Sequence, residues 1–211
     1  MSNATGEQIA AARLGASWLL WYPDEELLTR LDGVAAMADE LPEGFRAPLL
    51  AFLAHVNDTP LVELQAHYVS VFDMKRKACP YLSYWTDGDT RNRGTAILRF
   101  QQAYREFGFD PGTQELADHL CVVLEFAAVG DALTGDALLT EHQGPIHLLR
   151  DALDKLGSAY VHVLDLVIAT LPALTPEIRE RMAALAAQGP PVEQVGLEPF
   201  ALTLDTVGGR R

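Results

Sequence analysis

Apolar residues recur at helical spacing through almost the whole chain, and this pattern limits the possible fold more than any other feature. Phe45, Leu49, Phe52 and Val56 fall on one helical face, whereas the strict alternation typical of strands is hard to find. The clearest run begins at Pro145 and continues in steps of three and four to Val167, which predicts one helix of about seven turns. The sequence therefore predicts an all-α fold.

Local signals mark where several helices begin and end. Thr5 and Gln8 resemble a capping box, and the helix that they open is stopped by Pro23. The Pro and acids of residues 23–26 are typical of the next helix start, and Thr175-Pro176-Glu177 predicts the start of the last one. Residues 116–129 are apolar enough to predict a buried helix.

These elements predict a single multi-helix bundle with one long loop and an irregular tail. The helical domain spans residues 1–188, and the tail of residues 189–211 follows Gly189-Pro190-Pro191. Residues 74–89 lack helical periodicity and hold three successive basic residues, so we expect a loop there. A loop of that length in a compact domain is usually functional or mobile.

Composition and charge exclude several classes of protein. The 211 residues carry a formal charge of −13, which opposes nucleic-acid binding and favours encounter with a basic partner. The two cysteines form no CxxC pair, and the apolar stretch at 18–21 is too short for a secretory signal. No run reaches the roughly 20 apolar residues that span a bilayer. We expect a cytoplasmic protein without direct membrane insertion.

No catalytic constellation emerges from the residues. The six histidines lack the spacing of a helical zinc site, and Cys79 has no neighbouring histidine to act as its base. The chain is therefore predicted to be no enzyme and to carry no cofactor. Two alternatives remain open: a metal-dependent helical hydrolase using His119, His142 and His147, and a helical regulator that binds nucleic acid, which the negative charge opposes.

Four segments, taken in order, carry a resemblance to a known family. They are Tyr68-Val-Ser-Val-Phe72-Asp73, then Tyr81-Leu-Ser-Tyr-Trp-Thr-Asp-Gly-Asp-Thr-Arg-Asn-Arg-Gly94, then Asp118-His-Leu-Cys-Val-Val-Leu-Glu-Phe-Ala127, and Gly189-Pro-Pro-Val-Glu-Gln-Val-Gly-Leu-Glu-Pro-Phe-Ala201. Together they resemble the delta-chain, NarJ-type assembly chaperones of respiratory nitrate reductase, within the TorD/DmsD/NarJ redox-enzyme maturation proteins. The resemblance covers about Leu14 to Ala201.

The resemblance implies an all-α chaperone without a cofactor. Its partner would be the catalytic alpha subunit of nitrate reductase, held by its N-terminal segment until molybdenum cofactor insertion and complex assembly. A basic, amphipathic segment would lay its apolar side in a groove between helices, with acidic residues at the rim. Long helices with an extended loop suggest a monomer or a weak, domain-swapped dimer.

We expect the partner-binding residues to form three groups, which are Tyr68, Phe72 and Asp73; Asp89, Arg91 and Arg93; and Asp118, His119 and Glu125. Structural roles remain open for most of them. Tyr68 and Phe72 are four residues apart and suit a core, while Asp89 or Thr90 suits a helix N-cap. Asp118 likewise suits the N-cap of a helix that begins at His119.

Overall fold

The computed structural model describes residues 4–191, and these form a bundle of eleven α-helices. The helices are α1 (Gly6–Leu20), α2 (Glu25–Glu40), α3 (Glu43–Asp58), α4 (Leu61–Tyr68), α5 (Leu82–Asp87), α6 (Arg91–Glu106), α7 (Leu120–Glu125), α8 (Ala132–Glu141), α9 (Gln143–Lys155), α10 (Tyr160–Ala169) and α11 (Pro176–Gln188). A π-helical turn extends α4 over Val69–Asp73, and another extends α7 over Phe126–Gly130. The all-α prediction is confirmed.

The centre of the bundle is α1, which packs against α2, α7 and α10. Its Ala12 and Ala16 are fully buried, and their small side chains allow the neighbouring helices to approach closely. Every residue of α7 from Leu120 to Leu124 is 0% exposed, so this helix is apolar on all sides rather than on one face. Each large aliphatic side chain buried in this way contributes about 1.5–3 kcal/mol to folding.

The helix boundaries that depend on local chemistry are confirmed. Thr5 and Gln8 form the reciprocal capping box at the start of α1. Asp24 caps α2 through its carboxylate, and Thr175 caps α11 with Pro176 at the first helical position.

Within residues 4–191, no helix is long and apolar enough to cross a membrane. The last helix ends at Gln188, and the predicted tail beyond Pro191 lies outside the described residues.

The single long helix predicted from Pro145 to Val167 is wrong. The chain ends α9 at Lys155, turns at Gly157 with φ +64°, and begins α10 at Tyr160. The Ser158 N–H donates to the Leu153 carbonyl at 3.0 Å, and the Gly157 N–H donates to the Asp154 carbonyl at 3.0 Å. This is a Schellman termination. The apolar rhythm continues through the turn because α9 and α10 pack against each other and bury facing sides.

The prediction of an irregular loop over residues 74–89 is also wrong. It contains a 3₁₀ turn at Arg76–Ala78 and the short helix α5, in which Leu82, Ser83, Tyr84 and Trp85 are buried. The Trp85 indole donates to the Cys79 carbonyl at 3.0 Å. Helical periodicity was invisible here because the helix is short and buried on most sides. The buried helix predicted for 116–129 exists, but it begins only at Leu120.

Candidate functional site

A pocket of about 500 Å³ opens between the end of α1, the start of α2 and the end of α7. Its lining combines aromatic and acidic side chains, namely Trp18, Trp21, Tyr22, Asp24, Glu26, Leu27, Arg30, Gln114, Glu115 and Glu125. Four carboxylates face one guanidinium, so the pocket has a negative potential. Aromatic faces beside carboxylates suit a ligand that is partly apolar and partly cationic.

The break between α1 and α2 builds one wall of this pocket. Trp21 leaves the helix in an extended conformation, and Pro23 prevents α1 from continuing. Asp24 then starts α2, because its Oδ1 accepts the Leu27 N–H at 2.9 Å. The aromatic residues at the last turn of α1 are thereby placed directly beside the acids at the first turn of α2.

The opposite wall carries two glutamates in different states. The Tyr81 hydroxyl donates to Glu115 Oε2 at 2.7 Å. Burial raises the pKa of Tyr81, as does the neighbouring Glu115 carboxylate, so this hydroxyl keeps its proton. Glu125, at the end of α7, is partly exposed, and its side chain makes no hydrogen bond or ion pair within residues 4–191. Glu125 is therefore the carboxylate of the pocket that is most available to a ligand cation.

Arg30 fills the other side of the pocket. One of its terminal nitrogens pairs with the Glu26 carboxylate, one helical turn earlier. Its guanidinium carbon lies 5.4 Å from the centre of the Trp18 ring. The pocket thus already contains one cation held by an aromatic face and a carboxylate.

His119 supports the aromatic wall from behind. It is 1% exposed, its ring stacks with Trp21 at 6.4 Å between centroids, and it meets Tyr81 edge-on at 4.9 Å. Its Nδ1 accepts the Cys121 N–H at 3.2 Å, which makes His119 the N-cap of α7. Burial lowers the pKa of His119 to about 3, so the ring is neutral near pH 7 and adds no charge to the pocket.

Asp118 is completely buried next to His119 and caps a different helix from the one predicted. Its Oδ2 accepts the backbone N–H and the hydroxyl of Ser83 at the start of α5, and it does not cap α7. Arg93 lies 4.0 Å from the same oxygen and stacks over the Tyr81 ring at 5.4 Å. Arg93 also pairs with the exposed Asp89 at 3.4 Å, and Thr90 caps α6.

The group at the end of α4 belongs mainly to the core. The Tyr68 hydroxyl donates to the Leu20 carbonyl at 3.2 Å, and its ring meets Tyr22 edge-on at 5.5 Å. Phe72 packs on Tyr68 and on Tyr160, with centroids 4.7 and 4.9 Å apart. Asp73 lies exposed at the end of the π-helical turn.

The predicted contact residues therefore occupy three kinds of position. Glu125 lines the pocket, and His119 and Tyr68 lie directly behind its aromatic wall. The remaining residues lie outside the lining: Phe72 and Asp118 are buried, Arg93 is half-buried, and Asp73, Asp89 and Arg91 are exposed. Their contact with a partner stays a prediction.

Sequence reasoning missed most of the residues that line the pocket. Trp18, Trp21 and Tyr22 fall within five positions just before a proline, and the acids Asp24 and Glu26 follow at once. Several large aromatics at a helix end, next to carboxylates, were the available signal. Glu115 left no such signal, because only the folded chain brings it to Tyr81.

The histidines of the alternative metal site do not come together. His119 bonds to Cys121 at the start of α7, whereas His142 bonds to the Leu138 carbonyl at 2.8 Å and packs on Phe100. In the part of the chain that the structure describes, no group of three or more His, Cys, Asp or Glu residues is arranged to hold a metal ion.

Comparison with known proteins gives consistent matches. The family model described as nitrate reductase delta subunit matches residues 38–165, which include Glu115 and Glu125 but begin after the α1 and α2 residues of the pocket. The nitrate reductase-like protein NarX of Mycobacterium tuberculosis (strain H37Rv) is 40% identical over 165 residues, covering 74% of this chain and 23% of its own length. The chain thus spans under a quarter of that relative.

In two further matches the alignment covers most of the matched protein. The "Probable nitrate reductase molybdenum cofactor assembly chaperone NarJ" of Bacillus subtilis (strain 168) is 33% identical over 173 residues, covering 80% of this chain and 91% of its own. A crystal structure from Archaeoglobus fulgidus, assigned as a redox enzyme maturation protein, superposes with a TM-score of 0.54 at 21% identity. It covers 78% of this chain and 91% of its own, and it shows the same fold.

Proposed function

Because this chain belongs to the nitrate reductase delta subunit family, we propose that it is the assembly chaperone of a respiratory nitrate reductase. The family is one of maturation chaperones rather than of catalysts. In this proposal the chain binds the N-terminal segment of the catalytic alpha subunit. It keeps that subunit competent for insertion of the molybdenum cofactor and for complex assembly, and it acts in the cytoplasm.

The proposal that the chain binds a client peptide is supported by one observation. The pocket between α1, α2 and α7 combines negative charge with aromatic surface. A basic, amphipathic client segment would pack its apolar side on Trp21 and Tyr22. Its cationic side chains would pair with Glu125 first, because that carboxylate has no partner within residues 4–191. Desolvated contacts between a cation and a carboxylate give orientation and register as well as affinity.

The buried residues of the site have a supporting role in this mechanism. His119 holds Trp21 in place from behind, and Tyr81 holds Glu115 at the rim. Arg93 and Asp118 hold Tyr81 and α5 in turn. A pre-organised wall of this kind lowers the entropic cost of ordering the pocket when a flexible peptide binds.

Isothermal titration calorimetry of the full chain with a synthetic peptide of the client N-terminus tests the proposal. We expect a stoichiometric complex whose affinity falls as the salt concentration rises, because the carboxylates are partly exposed to solvent. Light scattering in the same buffer checks whether the chain is a monomer or a weak dimer. A folded chain that binds no peptide at high micromolar concentration excludes the pocket as the client site.

A further inference from the structure

We propose that Arg30 is an internal competitor that occupies the position of a client cation in the free protein. This inference rests on the function proposed above and adds a rule of selectivity to it. Under this rule the pocket has two subsites for cations, one filled by Arg30 and one open. A client with two neighbouring cations can occupy both subsites only by displacing Arg30.

The filled subsite shows its ligand chemistry directly. Arg30 has an aromatic face beneath its guanidinium, 5.4 Å away at Trp18, and a carboxylate partner in Glu26. These are the two contacts by which a guanidinium from another chain is recognised. Arg30 therefore makes, within the free protein, the same two contacts that the guanidinium of a bound client would make.

The open subsite lies on the other side of the same pocket. Glu125 has no ionic partner within residues 4–191, and Glu115 is held only by the neutral Tyr81 hydroxyl. Trp21 and Tyr22 also line the pocket and offer aromatic surface to a bound side chain. A peptide with a single cation is satisfied by the open subsite and leaves Arg30 in place.

Arg30 is easily displaced. Its side chain is 37% exposed and that of Glu26 is 66% exposed, so both remain accessible to water and to a peptide. An exposed ion pair between residues four apart on a helix and an exposed cation–π contact are both weak. Removing Arg30 should therefore tighten a two-cation peptide only modestly, by about threefold to tenfold.

The test compares the full-length chain with Arg30→Gln and Arg30→Lys, each titrated with two synthetic peptides. One peptide carries two adjacent arginines, and in the other the second arginine is glutamine. Arg46→Gln is the matched control, because Arg46 pairs with Asp39 at 3.8 Å and lies outside the pocket lining. Far-UV circular dichroism confirms that each variant keeps its helices.

We expect Arg30→Gln to bind the two-arginine peptide about three to ten times more tightly and to change the one-arginine peptide by about twofold or less. Arg30→Lys should fall in between, and Arg46→Gln should match the unmodified chain. If Arg30→Gln bound both peptides more tightly by the same factor, the change in net charge would explain the result. Arg30 would then not be a competitor. Unchanged or weaker binding of the two-arginine peptide would also overturn the competitor role while leaving the proposed function intact. If neither the unmodified chain nor any variant binds either peptide, the proposed function itself fails.

Discussion

The Asp118 carboxylate accepts two hydrogen bonds from Ser83, one from its hydroxyl at 2.6 Å and one from its backbone N–H at 3.3 Å, across 35 residues of sequence. The Asp118 carbonyl also accepts the Leu82 N–H at 2.9 Å. One buried acid thereby fastens the start of α5 to the segment that leads into α7. Tyr81 lies at that junction and holds Glu115 at the rim of the pocket.

We expect Asp118→Ala to destabilise the fold strongly. The substitution leaves the Ser83 donors and the nearby Arg93 guanidinium without their buried acceptor, which should cost about 2–5 kcal/mol in the free energy of unfolding. Ser83→Ala removes only the hydroxyl and should cost about 1 kcal/mol. Urea unfolding followed by circular dichroism measures both. A loss of client binding by Asp118→Ala at full stability would instead indicate direct contact with the client.

Glu125→Gln should weaken binding of the client peptide without unfolding the chain. The carboxylate is partly exposed, so its loss should cost about 0.5–1.5 kcal/mol of binding free energy at low salt. Glu180→Gln is the control, because it removes the same charge from α11, which packs on α9. Calorimetry at low and high salt should show the difference between the two variants shrinking as salt rises. Equal affinities at low salt would contradict the role of Glu125.

His119 should make the fold sensitive to acid. Its folded pKa of about 3 lies below the unfolded value of 6.5, so the unfolded state binds the extra proton between these values. Stability is therefore complete above pH 6.5 and falls as the pH drops toward 3, at up to about 1.4 kcal/mol per pH unit from this one group.

The matched variant is His119→Asn, since asparagine keeps an N-cap acceptor for the start of α7 but does not titrate. Urea unfolding at pH values from 7 down to 4 should give a shallower slope for this variant than for the unmodified chain. His67 and His147 also have pKa values lowered by burial, so some slope should remain. Identical slopes for both chains would show that His119 does not carry the effect.

Two glycine substitutions should change stability in opposite directions. Gly157 ends α9 with φ +64°, so Gly157→Ala strains the turn to α10 and should cost about 1–2 kcal/mol. Gly33 lies inside α2 with no atom within 4 Å of an added Cβ, so Gly33→Ala should stabilise by about 0.5–1 kcal/mol. Thermal unfolding distinguishes the two. A stabilising Gly157→Ala would contradict the Schellman turn.

Elements whose causes are local could be predicted from the amino-acid sequence alone. The caps at Thr5, Asp24 and Thr175 each join residues only a few positions apart, so their patterns are visible in one stretch of chain. The one-sided apolar faces predicted the helices for the same reason. The break at Gly157 was not predicted, because the spacing of apolar residues in α9 and α10 continues through the turn between them.

The set of side chains that meet at the pocket depends on long-range packing and could not be predicted from the sequence. Tyr81 and Glu115 are 34 residues apart, and Ser83 and Asp118 are 35 apart. Nothing local predicts these pairs, since they exist only after the start of α5 pairs with the segment that leads into α7. The same packing buried Asp118 and His119 as supports and left Glu125 at the open rim. The composition predicted a negatively charged protein that suits a basic partner. The position at which carboxylates lie beside aromatic side chains depends on long-range packing.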